Sequence, residues 1–333
     1  MAEFRSWRNA NRTPLKDVVP LDTPYNLYIE TSAVCNARCV YCTQSASPQT
    51  GIMSMDLFHT IMEQAHDFPS KIKIFDMFYS GEPLCNPNFA KMVEQAKREN
   101  LAEQIGVTTN GLLLTPERID EIIEAGIDVI RISIQGLDTE MYKKICGVNV
   151  DFEKFISVLS YLYAHRKNCK VRMKIVDLAI KDIPNGEEKF KKLFGSISDS
   201  IFVEHIIPIY NNIEYDSLDK RISKRAKDGR YGMEQEEIHK VCYRPFIKLL
   251  VAANGDITAA CCNHPAKDVV FGNIKNENIV DVWNGKIRQE FLKMQLLGKR
   301  FDHPFCKDCL VPNDVAYKED LLDPYVDEIL QRI

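Results

Sequence analysis

The chain of 333 residues has a formal net charge of −4, and charged residues make up 27% of the sequence. At roughly 100 to 200 residues per domain, this length predicts about two domains. The charge gives no indication of nucleic acid as a main partner, no apolar run approaches the roughly 18 residues of a membrane span, and the N-terminus lacks a signal-peptide core. We therefore expect a cytoplasmic protein with no nucleic acid and no membrane as partner.

Six strand-like segments alternate with amphipathic helical patterns between residues 25 and 210. The segments are rich in β-branched and apolar residues, and Asp, Asn, Ser or Thr opens several of the intervening helical stretches as an N-cap. Such a βα series predicts a parallel sheet and an α/β fold class. A full or partial TIM-like (β/α) barrel is the simplest closure, and the sequence contains six such units instead of eight. The predicted strands cover residues 26–30, 71–80, 104–110, 129–135, 170–178 and 200–208.

The remaining sequence divides by composition. We expect an N-terminal extension at 1–24 before the barrel at 25–210, a polar connector at 211–240, a smaller second domain at 241–312 and a C-terminal helix at 313–333. Basic residues of the connector could contact a phosphate, although a solvated linker explains them better. In the second domain, Asn254 and Gly255 fit the turn of a β-hairpin.

Three of the 11 cysteines lie close together after the first predicted strand. Cys35, Cys39 and Cys42 have the spacing of one helix face, but the residues between them supply no apolar stripe. In a reducing compartment, clustered cysteines favour metal ligation or catalysis over disulfides. Soft thiolates suit zinc or iron–sulfur clusters, and a closed zinc site needs a fourth local ligand. The group therefore favours a [4Fe–4S] cluster with one open iron.

The segment CNARCVYC, which contains these cysteines, resembles the cluster motif of the radical S-adenosylmethionine (radical SAM) superfamily. The resemblance implies a partial (β/α)6 barrel in which the open iron binds the amino and carboxylate groups of SAM. Electron transfer would then release methionine and a 5′-deoxyadenosyl radical, which abstracts hydrogen from a substrate. A flavodoxin or ferredoxin is the implied electron donor.

A short motif lies at the C-terminal end of each of the next three predicted strands. In (β/α) barrels the catalytic and binding residues lie at this end of the strands. SGEP (80–83), TTNG (108–111) and SIQG (133–136) occur in the order found in radical SAM enzymes. The resemblance implies that SGEP holds the SAM amino group and that SIQG contacts the ribose or carboxylate, although relatives often have aspartate in place of Gln135. The implied SAM-binding residues are Tyr41 near the adenine, Gly81, Glu82, Thr109, Asn110, Ser133, Gln135 and Lys174.

The last two predicted strands carry candidates for substrate contact. In VRMKIV (171–176), apolar residues alternate with Arg172 and Lys174, so both cations are expected to point into the barrel. They suit the SAM carboxylate or a hydroxylated substrate, and a structural ion pair is the alternative. Glu204 and His205 end the sixth strand and could accept a proton from a substrate hydroxyl. Arg172, Glu204 and His205 are therefore the candidate catalytic residues.

A second group of cysteines lies in the last third of the chain. Four thiolates that include a Cys-x2-Cys pair are as typical of a zinc site as of an iron–sulfur cluster. The region, with NGDITAACC, FGNI and VWN, also resembles the Twitch or short SPASM extensions of radical SAM enzymes, which implies one auxiliary [4Fe–4S] cluster. Cys262 is an alternative to Cys261 as a ligand. The expected ligands are Cys242, Cys261, Cys306 and Cys309.

The resemblance implies an oxidoreductase or epimerase that removes hydrogen from a hydroxyl-bearing carbon of a sugar, aminocyclitol or nucleotide-sugar. A fully ligated auxiliary cluster can take a second electron and so favours oxidation, whereas a thiol at Cys85, Cys146 or Cys262 could serve an epimerase. One alternative is a peptide-modifying or sulfatase-maturing radical SAM enzyme. From another class, a non-catalytic iron–sulfur or zinc protein is also consistent with the residues.

Overall fold

The computed structural model describes residues 3–4, 13–208, 213–224, 239–260, 269–313 and 317–333. Within these residues the strands form one ten-stranded sheet in the order β1-β7-β6-β5-β4-β3-β2-β8-β9-β10, which does not close on itself. The strands are β1 Glu3–Phe4, β2 Asn26–Ile29, β3 Ile72–Asp76, β4 Ala102–Thr109, β5 Val129–Ile134, β6 Lys170–Val176, β7 Ser200–Glu204, β8 Lys248–Val251, β9 Asp256–Thr258 and β10 Val270–Asn273.

The six predicted strands are β2 to β7, and all of their pairings are parallel. The prediction of an α/β fold with a partial barrel is therefore confirmed. Two strands are clearly shorter than predicted: β3 ends at Asp76 instead of Ser80, and β7 ends at Glu204 instead of Pro208. Beyond β3, the Met77 amide still donates to the Gly106 carbonyl of β4, whereas the Glu82 amide donates to the Val34 carbonyl in the loop after β2.

Helices cover the outer face of the parallel sheet. Several begin at N-caps of the residue types expected from the sequence: Ser54, Thr115, Asp138 and Asp151 each accept a hydrogen bond from a backbone amide of the first turn. The helices are α1 Leu15–Val18, α2 Thr43–Ala46, α3 Met55–Ala65, α4 Phe89–Glu99, α5 Pro116–Glu124, α6 Thr139–Cys146, α7 Phe152–His165, α8 Gly186–Phe194, α9 Tyr215–Leu218, α10 Lys220–Lys224, α11 Arg244–Ile247, α12 Ile279–Asn284, α13 Lys286–Leu296 and α14 Val326–Leu330.

The two faces of the sheet differ in polarity. On β5 and β6 the residues of the outer face are fully buried in the main core, for example Ile132 and Met173. The alternate residues form the inner face, where Arg131 lies beside Arg172 and Ser133 beside Lys174 in the strand register. A polar inner face is therefore surrounded by an apolar shell.

The C-terminal region continues the barrel sheet. β8 pairs in parallel with β2, and β9 turns back antiparallel to β8 at Asn254 and Gly255, where Gly255 has a φ of 97°. The buried Glu30 at the end of β2 accepts a hydrogen bond from the amide of Ala253 at 3.2 Å. The second cysteine region is thus joined to the barrel through shared strands.

The chain beyond the second region is less helical than expected. Of the described residues 317–333, Lys318–Asp320 and Asp323–Tyr325 form 3₁₀ turns and only Val326–Leu330 is α-helical. Pro324 lacks the amide hydrogen that a longer helix would need there. In the part of the chain that the structure describes, no helix has the length and apolar character to cross a membrane.

Candidate functional site

The loop with Cys35, Cys39 and Cys42 leads from β2 into α2, which begins only at Thr43. The alternative of a helix face is therefore wrong for these cysteines. The loop is fixed to the end of α6 by two backbone hydrogen bonds, from the Arg38 amide to the Cys146 carbonyl and from the Val40 amide to the Ile145 carbonyl, each 2.9 Å.

The three cysteines of this loop are partly buried. Burial raises the pKa of Cys35 to about 11 and also raises the pKa of Cys42. A hydrogen bond with the Cys146 thiol, together with burial, raises the pKa of Cys39. No group of three or more Cys, His, Asp or Glu among the described residues converges on a single metal ion. Three thiols on one loop are a donor set that fits an iron–sulfur cluster, in which each thiolate binds a different iron.

Gly81 brings the SGEP turn against the cysteine loop. A Cβ atom on Gly81 would lie 2.3 Å from the carbonyl oxygen of Ser32 and 2.7 Å from that of Val34. The amide of Glu82 donates to the Val34 carbonyl at 2.8 Å. Only glycine permits this approach, which fixes the backbone directly before Cys35.

The carboxylate of Glu82 is part of the framework that joins β3 to β4. It is 2% exposed, and it accepts hydrogen bonds from the Thr109 hydroxyl at 2.5 Å, the Asn110 amide at 2.8 Å and the Leu84 amide at 3.1 Å. Burial raises its pKa, whereas these hydrogen bonds lower it. The side chain of Asn110 also donates to Asn36 at 2.7 Å. Both strand ends are thus fixed to the cysteine loop.

Tyr41 and Gln135 form a second link across the site. The Tyr41 hydroxyl donates to Oε1 of Gln135, whose Nε2 donates to the Ser133 carbonyl at 3.3 Å. Gln135 is 5% exposed. Burial raises the pKa of Tyr41, so the phenol stays protonated. The structure therefore brings Tyr41, Ser133 and Gln135 together, with Gln135 holding the Tyr41 ring in place.

Two ion pairs lie on the inner face of the barrel. Lys174 pairs with Glu204 across β6 and β7. Arg131 pairs with Asp76 at 2.8 Å, with both side chains nearly buried. The second pair crosses β4 over Gly106, where a Cβ atom would lie 2.9 Å from each partner. Sequence reasoning missed Asp76 and Arg131, although their alternation with apolar residues was a usable signal.

Asp177 orients His205 at the carboxyl ends of β6 and β7. The Nδ1 atom of His205 lies 3.0 Å from Oδ2 of Asp177, and the Ile206 amide donates to Oδ1 at 3.3 Å. Because an ionised carboxylate only accepts, Nδ1 carries the proton and Nε2 is the basic nitrogen. The His205 side chain is 33% exposed and is thus within reach of a ligand. Sequence reasoning identified His205 but not Asp177.

Three cysteines of the second group line one pocket. Cys242, Cys306 and Cys309 surround it together with Gln295 and Arg300. Burial raises the pKa of Cys306 to about 11 and that of Cys309 to about 12. The expected fourth ligand Cys261 and its alternative Cys262 lie outside the described residues. This set of thiols, with Cys306 buried and Cys242 and Cys309 partly exposed, fits an iron–sulfur cluster.

The cysteines considered as hydrogen donors have different surroundings. Cys146 is buried, and its thiol donates to the Tyr142 carbonyl at 3.0 Å. Cys85 is partly exposed in the 3₁₀ turn Pro83–Cys85, directly after SGEP. Cys146 is therefore part of the support of the cysteine loop, and Cys85 is the more accessible of the two.

Comparison with known families identifies the class of protein. The model of the radical SAM superfamily matches residues 29–178, and that of SPASM, an iron–sulfur cluster-binding domain, matches residues 242–310. The chain belongs to the radical SAM superfamily and carries a SPASM domain. It is therefore an enzyme whose first domain binds a [4Fe–4S] cluster with SAM, and its second domain indicates an auxiliary iron–sulfur cluster.

Individual relatives cover most of the chain. The tungsten-containing aldehyde ferredoxin oxidoreductase cofactor-modifying protein of Pyrococcus furiosus is 26% identical over 316 residues, which are 85% of this chain and 86% of the relative. A probable GTP 3′,8-cyclase of Methanococcus maripaludis is 30% identical over 299 residues, 82% of this chain and 93% of the relative. The structure of BtrN in complex with AdoMet and 2-DOIA has a TM-score of 0.53 at 21% identity, covers 86% of this chain and 92% of BtrN, and supports the fold.

Proposed function

We propose that this radical SAM enzyme oxidises a hydroxyl-bearing carbon of a small polar substrate, such as a sugar, aminocyclitol or nucleotide-sugar. The observation that carries the proposal is the Asp177–His205 pair, with its 3.0 Å contact at the ends of two adjacent barrel strands. When bound, the SAM-loaded cluster supplies hydrogen-atom abstraction, and the auxiliary cluster supplies an acceptor for the remaining electron.

Both cofactor sites are assigned to residues of this chain as part of the proposal. Cys35, Cys39 and Cys42 would hold the SAM-binding cluster. Tyr41, Gly81, Thr109, Ser133 and Lys174 are proposed to shape the SAM pocket, with Glu82, Asn110 and Gln135 holding these elements in place through the hydrogen bonds described above. The proposed ligands of the auxiliary cluster are Cys242, Cys261, Cys306 and Cys309.

His205 is proposed to receive the proton of the substrate hydroxyl. Oxidation of an alcohol carbon removes a hydrogen atom from carbon, a proton from oxygen and one further electron. A positioned imidazole accepts such a proton efficiently near neutral pH. Asp177 holds the ring with Nε2 as the basic atom and stabilises the imidazolium that forms, as in other carboxylate–imidazole pairs.

The charge pattern of the inner face favours a polar substrate without many negative charges. Arg131 and Lys174 are each matched by a buried carboxylate, Asp76 and Glu204. A triphosphate would need several cations that are not already neutralised. Arg172 lies next to Arg131 in the register and is proposed to contact the substrate. The small ligand 2-DOIA in the BtrN complex is in keeping with this substrate class.

A second candidate is cyclisation of GTP, favoured by 30% identity over 299 residues to the probable GTP 3′,8-cyclase. The inner-face ion pairs weigh against it, because using either cation to bind phosphate would remove it from the buried carboxylate that it neutralises.

A substrate screen with the anaerobically reconstituted protein separates these functions. Reductant and SAM are supplied with polyols, aminocyclitols, nucleotide-sugars, GTP or short peptides, and 5′-deoxyadenosine and product masses are measured. The proposal predicts a polyol-type product that has lost two hydrogens. A product of unchanged mass with inverted configuration would indicate epimerisation instead. A cyclised GTP product or a modified peptide, with no polyol converted, would contradict the proposal.

A further inference from the structure

The pocket of the second cysteine group contains three buried polar side chains, Arg244, Gln295 and Arg300, and the last two lie against the cysteines Cys306 and Cys309. We use the name auxiliary pocket for the cavity whose lining includes Cys242, Arg244, Gln295, Arg300, Cys306 and Cys309. Gln295 and Arg300 are each 1% exposed. Polar groups buried this deeply need partners, because burial without them is costly.

Arg300 is a buried cation next to the cysteine backbone. Its guanidinium donates to the carbonyl of Cys306 at 2.8 Å and to that of Cys309 at 3.2 Å. Its Nε atom has no partner among the described residues, and none of their carboxylates lies within ion-pair distance of it. A buried charge without a counter-charge is strongly unfavourable, so this position suits a negatively charged group in the auxiliary pocket.

Gln295 directs an amide hydrogen toward a cysteine sulfur. Its Oε1 accepts from the Cys242 amide at 3.4 Å, and its Nε2 lies 3.6 Å from Sγ of Cys306. Because Oε1 faces a donor, the amide orientation with Nε2 toward sulfur follows from the network.

We propose that Arg300 and Gln295 raise the reduction potential of the auxiliary cluster and so make it an electron acceptor. A cluster with four thiolate ligands is an anion whose negative charge grows on reduction, so a fixed cation stabilises the reduced form more than the oxidised form. A hydrogen bond to a ligand sulfur acts in the same direction. The inference rests on the auxiliary cluster, and the direction of electron flow rests on the proposed oxidation.

The test measures the potential of the auxiliary cluster without any substrate. In the full chain with Cys35→Ser, Cys39→Ser and Cys42→Ser, the auxiliary cluster is the cluster expected to load, and its midpoint potential is read by an EPR-monitored redox titration. We expect Arg300→Met to lower the potential and Gln295→Leu to lower it by a smaller amount. Arg300→Lys, which keeps the charge, should remain close to the unsubstituted background.

Lys299→Met is the matched control, since it removes an exposed cation adjacent to Arg300 that water screens. An equal shift in Lys299→Met and Arg300→Met would overturn the inference, as would an unchanged potential in Arg300→Met and Gln295→Leu with full iron content. If the Arg300→Met variant loses the cluster and the Arg300→Lys variant keeps it, the result supports a role of the positive charge at residue 300 in holding the anionic cluster. The effect on the reduction potential is then tested by Gln295→Leu. The reduction potentials are measured without substrate, so a substrate screen in which no polyol is converted would not change the outcome of this test.

Discussion

Replacement of Gly81 by alanine tests the contact between the SGEP turn and the cysteine loop. The new Cβ atom would lie 2.3 Å from the Ser32 oxygen, whereas ordinary contact begins at 3.4 Å, so the backbone must part by about 1 Å (3.4 minus 2.3). The obstructing atoms belong to the backbone, so no side-chain rotation relieves the clash. We expect the free energy of unfolding to fall by about 1–3 kcal/mol, as is usual for overpacking.

The same displacement should impair assembly of the first cluster. Because Cys35 follows the displaced segment directly, iron in the anaerobically reconstituted Gly81→Ala chain is expected to fall from about eight to about four atoms per chain. Unfolding in urea and iron analysis measure the two effects. An unfolding free energy within about 0.5 kcal/mol of wild type, together with full iron content, would refute the reasoning.

Gly126→Ala is the matched control for Gly81→Ala. Gly126 has a φ of 91°, and its added Cβ would meet the flexible side chain of Lys97 at 3.0 Å, far from both cysteine groups in the chain. An alanine forced into this left-handed backbone region costs about 1–2 kcal/mol. Stability should therefore fall by a similar amount while both clusters still assemble.

Three further substitutions test other parts of the site. His205→Gln should lower the rate of substrate oxidation by about 10²- to 10⁴-fold, the usual contribution of a general base, and Asp177→Asn should lower it less. SAM cleavage should continue in both variants. An unchanged ratio of product to 5′-deoxyadenosine would contradict the role of His205 as the base. Asp76→Ala leaves Arg131 buried without its carboxylate and should destabilise the chain by about 3–5 kcal/mol in urea unfolding. A wild-type unfolding curve would show that the pair contributes nothing. Gln135→Leu removes the acceptor of the Tyr41 hydroxyl, so the KM for SAM should rise at constant iron content; an unchanged KM would separate Tyr41 from SAM binding.

The strands of the barrel could be predicted because each combines β-branched residues with turn or capping signals at its ends. The pairing of β8 with β2 could not, since these strands are more than 200 residues apart and local patterns do not identify the sheet edge that a strand joins. Glu30 became significant only with this pairing, because its carboxylate accepts the Ala253 amide of the joined hairpin.

The positions of the candidate site residues followed from motif order, whereas their contacts depended on register and burial. The sequence marks Glu82 as a ligand-binding carboxylate, yet in the fold both of its oxygens accept hydrogen bonds from the protein. Asp177 lies one residue beyond β6 and has no motif of its own. Its link to His205 arises only because β6 and β7 are neighbours in the sheet.

Iron content and SAM cleavage, measured together, test the central claim most directly. Wild type is compared anaerobically with a Cys35→Ala, Cys39→Ala, Cys42→Ala variant and a Cys242→Ala, Cys306→Ala, Cys309→Ala variant. Two [4Fe–4S] clusters predict about eight irons in wild type and about four in each variant, with 5′-deoxyadenosine formed only where the first three cysteines remain. Zinc in place of iron, or SAM cleavage that persists without Cys35, Cys39 and Cys42, would contradict the account.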